Sequence, residues 1–73
     1  MASTKRIPAT EIVIGHEIMW PDGSSLVVNT ITRDGDIIDF TGTRNVFTFM
    51  GVEAHPGGVG SALVGDEVTV IAR

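Results

Sequence analysis

From Glu11 onward the chain alternates. Ile12, Ile14, Ile18 and Trp20 share one parity, while Glu11, Glu17 and Met19 take the other. A period of two is that of a strand with one buried face. Two turn signals, Pro21-Asp22-Gly23-Ser24 and Asp34-Gly35-Asp36, then separate runs rich in Ile, Val, Thr and Trp between Gly15 and Thr43. Pro presets φ for the second position of a turn, and Gly accepts the positive φ that tight hairpins need, so this stretch predicts a strand–turn–strand–turn–strand meander. Gly15-His16 interrupts the first run. In the second run Leu26 and Val28 lie on one face and Ile31 on the other, a step that predicts a bulge at Asn29-Thr30.

The remaining pattern completes an all-β reading. Ile38 and Phe40 point inward, and Thr41-Gly42-Thr43 turns the chain again. Arg44 to Val52 reads apolar on both faces, with Phe47 and Phe49 on one and Val46, Met50 and Val52 on the other. Glu53 to Gly65, rich in Gly, reads as a long loop, and loops of that length inside small domains are often functional. The opening of the last strand, Val64-Gly65-Asp66-Glu67-Val68, echoes Ile14-Gly15-His16-Glu17-Ile18. Residues 1–8 have no periodicity and contain Pro8, so they read as a flexible N-terminal leader ahead of a domain at residues 9–73.

Length and charge narrow the class. Seventy-three residues make one small domain, and the absence of cysteine rules out disulfide or thiolate–zinc staples. The formal net charge is −4, and Lys5, Arg6, Arg33, Arg44 and Arg73 are scattered. A protein that binds nucleic acid through phosphates needs a basic stripe, so that partner is disfavoured. The N-terminus lacks the apolar core of a signal peptide, and no apolar run is long enough to span a bilayer. The expectation is a soluble cytoplasmic protein with no membrane partner.

Candidate chemistry is sparse. Gly58-Val59-Gly60-Ser61 opens like a dinucleotide fingerprint but lacks the third glycine and any surrounding strand–helix–strand unit. His16, Glu17, Glu53 and His55 could ligate metal but lack a ligand spacing, so they read as structural. Asp22 reads as a turn residue that bonds its own backbone. The serines, threonines and two histidines have no nucleophile elbow to present them. No catalytic residue, cofactor or metal is assigned, and the chain is expected not to be an enzyme.

The order Pro8-Ala9-Thr10-Glu11-Ile12, Ile14-Gly15-His16-Glu17-Ile18, Pro21-Asp22-Gly23, Val28, Ile31, Asp34-Gly35-Asp36 and Ile38 resembles the small SH3-like β-barrel proteins of unknown function carried by bacteriophages of actinobacteria. The resemblance covers residues 8–42 and, more loosely, Val68-Thr69-Val70. It departs at His16, where such proteins commonly place Asp. It implies a non-structural accessory protein made in an infected cell, and it brings no catalytic residues with it.

These readings predict an all-β fold, a single small five-stranded antiparallel barrel of SH3-like type, with an OB-like barrel as the alternative. The strands fall near 12–20, 25–33, 36–41, 44–52 and 66–72. The expected core is Ile12, Ile14, Ile18, Trp20, Leu26, Val28, Ile31, Ile38, Phe40, Phe47, Phe49, Val68 and Val70. The expected function is that of a non-enzymatic protein-binding module acting on a host or phage protein, with a nucleic-acid-binding barrel as the alternative. The candidate interaction surface is Val46, Met50, Val52, Val59, Leu63 and Val64, which also predicts a homo-oligomer.

Overall fold

A computed structural model describes residues 3–72. One antiparallel sheet holds six strands: β1 (Ser3–Pro8), β2 (Glu17–Met19), β3 (Ser25–Asp34), β4 (Ile37–Thr48), β5 (Gly51–Leu63) and β6 (Glu67–Ala72). Their order across the sheet is β1-β6-β2-β3-β4-β5. The only helical element among the described residues is a three-residue 3-10 turn, Ala9–Glu11. The all-β class is therefore as the pattern predicts. The closed five-stranded barrel is not: the sheet has six strands and is open, with β1 and β5 as its edges.

The turns form where the sequence places them. Gly23 N–H donates to the Trp20 carbonyl at 3.0 Å, and Trp20 N–H to the Ser24 carbonyl at 2.9 Å. Asp22 Oδ1 accepts from Ser24 N–H at 2.9 Å and from Ser24 Oγ at 2.6 Å, the local role expected of a turn aspartate. The β3–β4 register shifts between Val28 and Thr30, so Asn29 is the bulged residue. Gly15-His16 also turns the chain. His16 N–H donates to the Val13 carbonyl at 3.1 Å, and Val13 N–H donates back to His16 Nδ1 at 3.2 Å.

Three boundary expectations are corrected. The stretch 12–20 contributes only Glu17–Met19 to the sheet, because the Val13–His16 turn occupies its first half. The strand expected at 36–41 and the first part of that expected at 44–52 are one strand, β4, running through Gly42 to Thr48; Phe49-Met50 then turn the chain, and Gly51-Val52 open β5. A Cβ on Gly42 would meet the Val27 carbonyl oxygen at 1.8 Å, so its glycine serves close strand packing and not a turn. The expected 53–65 loop is β5, paired with β4 along its length, with a register shift between Gly42 and Arg44.

The leader expectation is also corrected for residues 3–8. They pair with β6 from Ser3↔Ala72 to Pro8↔Glu67. Ile7 packs on the core opposite Val68, and Pro8, which lacks an N–H, sits at the strand end where the ladder stops. Ala9 N–H continues the link by donating to the Asp66 carbonyl at 2.9 Å.

The core is Ala9, Ile12, Ile18, Leu26, Val28, Ile38, Phe40, Val68 and Val70, with Ile7, Trp20, Ile31, Ala62 and Val64 packed against it. The sheet must curl strongly to build it. Trp20 follows β2, and Gly60 lies on β5, three strands away in sheet order. A Cβ on Gly60 would nevertheless lie 2.4 Å from Trp20 Cζ2. Three expected core residues are outside it. Ile14 is 67% exposed in the Val13–His16 turn, Phe47 is 52% exposed and Phe49 99% exposed.

Candidate functional site

The two aromatics missing from the core sit on a projecting arm. β3 meets β4 only as far as Ser25↔Asn45, whereas β4 and β5 stay paired to Thr48↔Gly51. Beyond Asn45 the sheet is thus a two-stranded ribbon closed by Phe49-Met50. Thr48 Oγ1 holds its tip, accepting from Met50 N–H at 3.2 Å and donating to the Gly51 carbonyl at 3.0 Å. Gly57, at φ 82°, lies beside the β5 register shift and lets the strand change course where the arm leaves the body.

Alternation along the ladder sorts the expected surface residues. In the body the even-numbered residues of β4 face the core, as buried Ile38 and Phe40 show. Phe47 therefore lies on the outer face, with Val52 opposite it, while Val46 lies on the other face opposite Glu53. Val59 and Leu63 share the outer face with Val52, farther along β5 and beside Ile37. Met50 is at the arm tip and is 85% exposed. Val64 is half-buried and packs on the core, so it does not join the surface. The structure thus brings Val52, Val59 and Leu63 to one face, puts Val46 behind them, and adds Ile37, Phe47 and Phe49.

At the other end of the sheet lies an open seam. Where a barrel would close, β5 and β6 leave a groove of about 630 Å³ lined by Met19, Trp20, Pro21, Ser61, Ala62 and Val68. Arg6, Asp66 and Glu67 stand around it, and Arg6 Nη2 pairs with Glu67 Oε1 at 3.7 Å. Sequence reading placed Trp20 in the core and gave no sign of this groove. Its signal was present in Gly58, Gly60 and Ala62, whose small size on the inner face of β5 makes room for Trp20 and Leu26.

Charged residues are mostly engaged locally. Arg44 Nη2 donates to Asp22 Oδ2 at 3.1 Å and to Ser24 Oγ at 3.3 Å. The Ser24 hydroxyl and then its backbone N–H hold the Asp22 carboxyl below its ordinary value against desolvation, with a smaller contribution from the Arg44 charge. Arg33 Nε donates to the Gly35 carbonyl at 3.1 Å. The buried Glu17 accepts from Ser25 Oγ at 2.6 Å, beside a smaller concavity of about 370 Å³ that also touches Lys5 and His16. His16 and Glu17 lie on or beside β2, while Glu53 lies on the arm and His55 at its base opposite Arg44, and no three His, Cys, Asp or Glu side chains gather as metal ligands among the described residues.

Fold and surface together define a small all-β protein with an open six-stranded sheet, an apolar arm and a seam groove. Compared with known protein families, curated proteins and solved structures, the chain matches none. Among the described residues no helix is long and apolar enough to cross a membrane.

Proposed function

We propose that the protein is a non-enzymatic protein-binding module whose recognition element is the projecting arm. The observation that carries this is Phe49, 99% exposed, beside Met50, 85% exposed, at the tip of a paired ribbon. Asn45 to Val52 holds no charged residue in a chain of net charge −4. Exposed apolar clusters of this kind mark interaction sites, and aromatic and Met side chains are enriched in interface cores. In this reading the protein works in the cytoplasm, and the resemblance to phage accessory barrels supplies the partner class, a host or phage protein. SH3-like kinship and self-association belong to the same proposal.

The nucleic-acid alternative receives less support from the charges. Arg44 is tied to Asp22 and Arg33 to a carbonyl, so neither stands beside the arm aromatics as stacking with phosphate contact would require.

The test is capture of a partner from host lysate by the wild-type protein and by Phe49→Asp. The expected result is a protein retained by the first and lost from the second, with equal melting temperatures. Equal retention by both, or no specific protein on either, overturns the reading.

A further inference from the structure

The arm and the groove are complementary surfaces on one molecule. The arm tip is an uncharged apolar knob, and the groove is a hollow with apolar walls at Met19, Trp20, Pro21, Ala62 and Val68 and a polar rim, whose volume, about 630 Å³, falls in the range of pockets that enclose small ligands or side-chain clusters. They cannot meet within one chain. Met50 and the groove residue Ser61 are both joined to the continuous strand β5. An extended strand rises about 3.3 Å per residue, which separates them by roughly 35 Å. The longest dimension of the fold is 40 Å, so the two features stand near opposite ends.

The seam also offers backbone to an incoming strand. β5 is a sheet edge. Val64 N–H donates to the Asp36 carbonyl, so the even-numbered residues of β5 face β4 near this end and the odd-numbered ones face outward. Leu63 is already satisfied there, since its N–H donates to Asp66 Oδ2 and its carbonyl accepts from Asp66 N–H. The backbone groups of Val59 and Ser61 point to the open edge. The opposite edge, β1, carries Lys5, Arg6 and Pro8, residues that discourage pairing, whereas Gly57 to Leu63 carries no charge.

We infer that the groove receives the arm tip of a second copy, so that molecules associate head to tail. This deepens the binding-module reading by naming one partner of the arm, and it rests on that reading. Charge favours this contact over others between two acidic copies, because an uncharged knob can approach the Asp66–Glu67 rim without setting like charges against each other. The size is sufficient for a weak complex. Phe47, Phe49, Met50 and Val52 expose on the order of 500 Å² of side chain. The groove offers less surface than the knob, so the contact is smaller than a standard specific interface and belongs to the weak, transient class. Such a heterologous contact builds rings or open chains of molecules, never a closed two-fold pair.

The experiment is sedimentation of the full chain from micromolar to millimolar concentration, with Phe49→Glu to spoil the knob and Ser61→Arg, at an exposed position, to plug the groove. Melting temperature and Trp20 fluorescence establish that each variant is folded, and Thr69→Lys serves as a second groove variant if Ser61→Arg is not. Wild type is expected to show concentration-dependent species beyond the dimer. Each variant alone is expected to weaken association about tenfold or more. The two variants mixed are expected to form a 1:1 dimer and nothing larger, since one intact knob then meets one intact groove. A monomeric wild type overturns the inference, and so does a mixture that stays monomeric or association that survives groove blocking. Partner capture that still depends on Phe49 alongside a monomeric wild type would leave the binding-module reading standing and remove only the head-to-tail contact.

Discussion

β4 and β5 pass through two regions that treat the same alternation differently. In the body, β4 lies between β3 and β5, and the curled sheet places a second layer over its inner face, so Ile38 and Phe40 are buried. In the arm, the same two strands continue with neither a third strand nor a covering layer, and Phe47 and Phe49 stand in solvent. A two-stranded ribbon alone is marginal in water, so the arm is held by its continuity with the body. Phe47 and Phe49 follow Phe40 by seven and nine positions and so fall on the opposite parity: the same residue type serves folding in one place and is free for recognition in the other.

The sharpest way to break this contrast is to truncate one phenylalanine from each region. Phe40→Ala, at a fully buried site, is expected to cost about 3–5 kcal/mol, most of the stability of a domain this small. Phe49→Ala is expected to stay within about 0.5 kcal/mol of wild type. Urea unfolding measures both. Comparable losses would show that the arm is part of the folding core.

A smaller effect is expected within the body, where β5 crosses Trp20. In Gly60→Val the new side chain must displace the ring of Trp20, the only tryptophan. Overpacking of this kind costs about 1–3 kcal/mol, and the emission of Trp20 should shift to the red as the ring is pushed outward. Unchanged emission with an unchanged melting temperature would contradict the close approach of β5 and Trp20.

The smallest effect belongs to the Asp22 clamp. Its carboxyl is held below the ordinary value of 3.8, so it contributes stability above that pH and loses it as pH falls through the folded-state value. Asp22→Asn should therefore melt slightly below wild type at neutral pH, with the gap closing in strong acid. The site is exposed, so the gap is small. A gap that persists unchanged in strong acid would mean that the carboxylate charge is not its origin.

Much of the body was legible in the sequence, and the reason is local. The Pro21–Ser24 turn, the Asp34-Gly35 hairpin and the bulge at Asn29 are written in residues that act on their own backbone. Ile12, Ile18, Leu26, Val28, Ile38, Phe40, Val68 and Val70 fall on the buried parity and are buried. Apart from Ile14, which the local Val13–His16 turn exposes, the misreadings depend on distant partners. Gly57 to Ala62 has the composition of a loop, yet it is strand because β4 supplies its ladder and Trp20 requires small residues beneath it. Ser3–Pro8 has no apolar period, yet β6 pairs it. Phe47 and Phe49 fall on the opposite parity from Phe40, and this is hidden because Thr41-Gly42-Thr43 reads as a turn that restarts the alternation. Of the expected surface, Val52, Val59 and Leu63 share a face, while the groove, a product of sheet curl, left only the small residues Gly58, Gly60 and Ala62 as its sign in the sequence.

The ladder from Ser3↔Ala72 to Pro8↔Glu67 joins the first described strand to the last. During synthesis residues 3–8 leave the ribosome well before their template, Glu67–Ala72. A nascent chain can build the β2–β5 meander while β1 still has nothing to pair with. Until β6 arrives, Ile7 and the inner faces of β2 and β3 remain open to chaperones, and contacts this remote in sequence are slow to close.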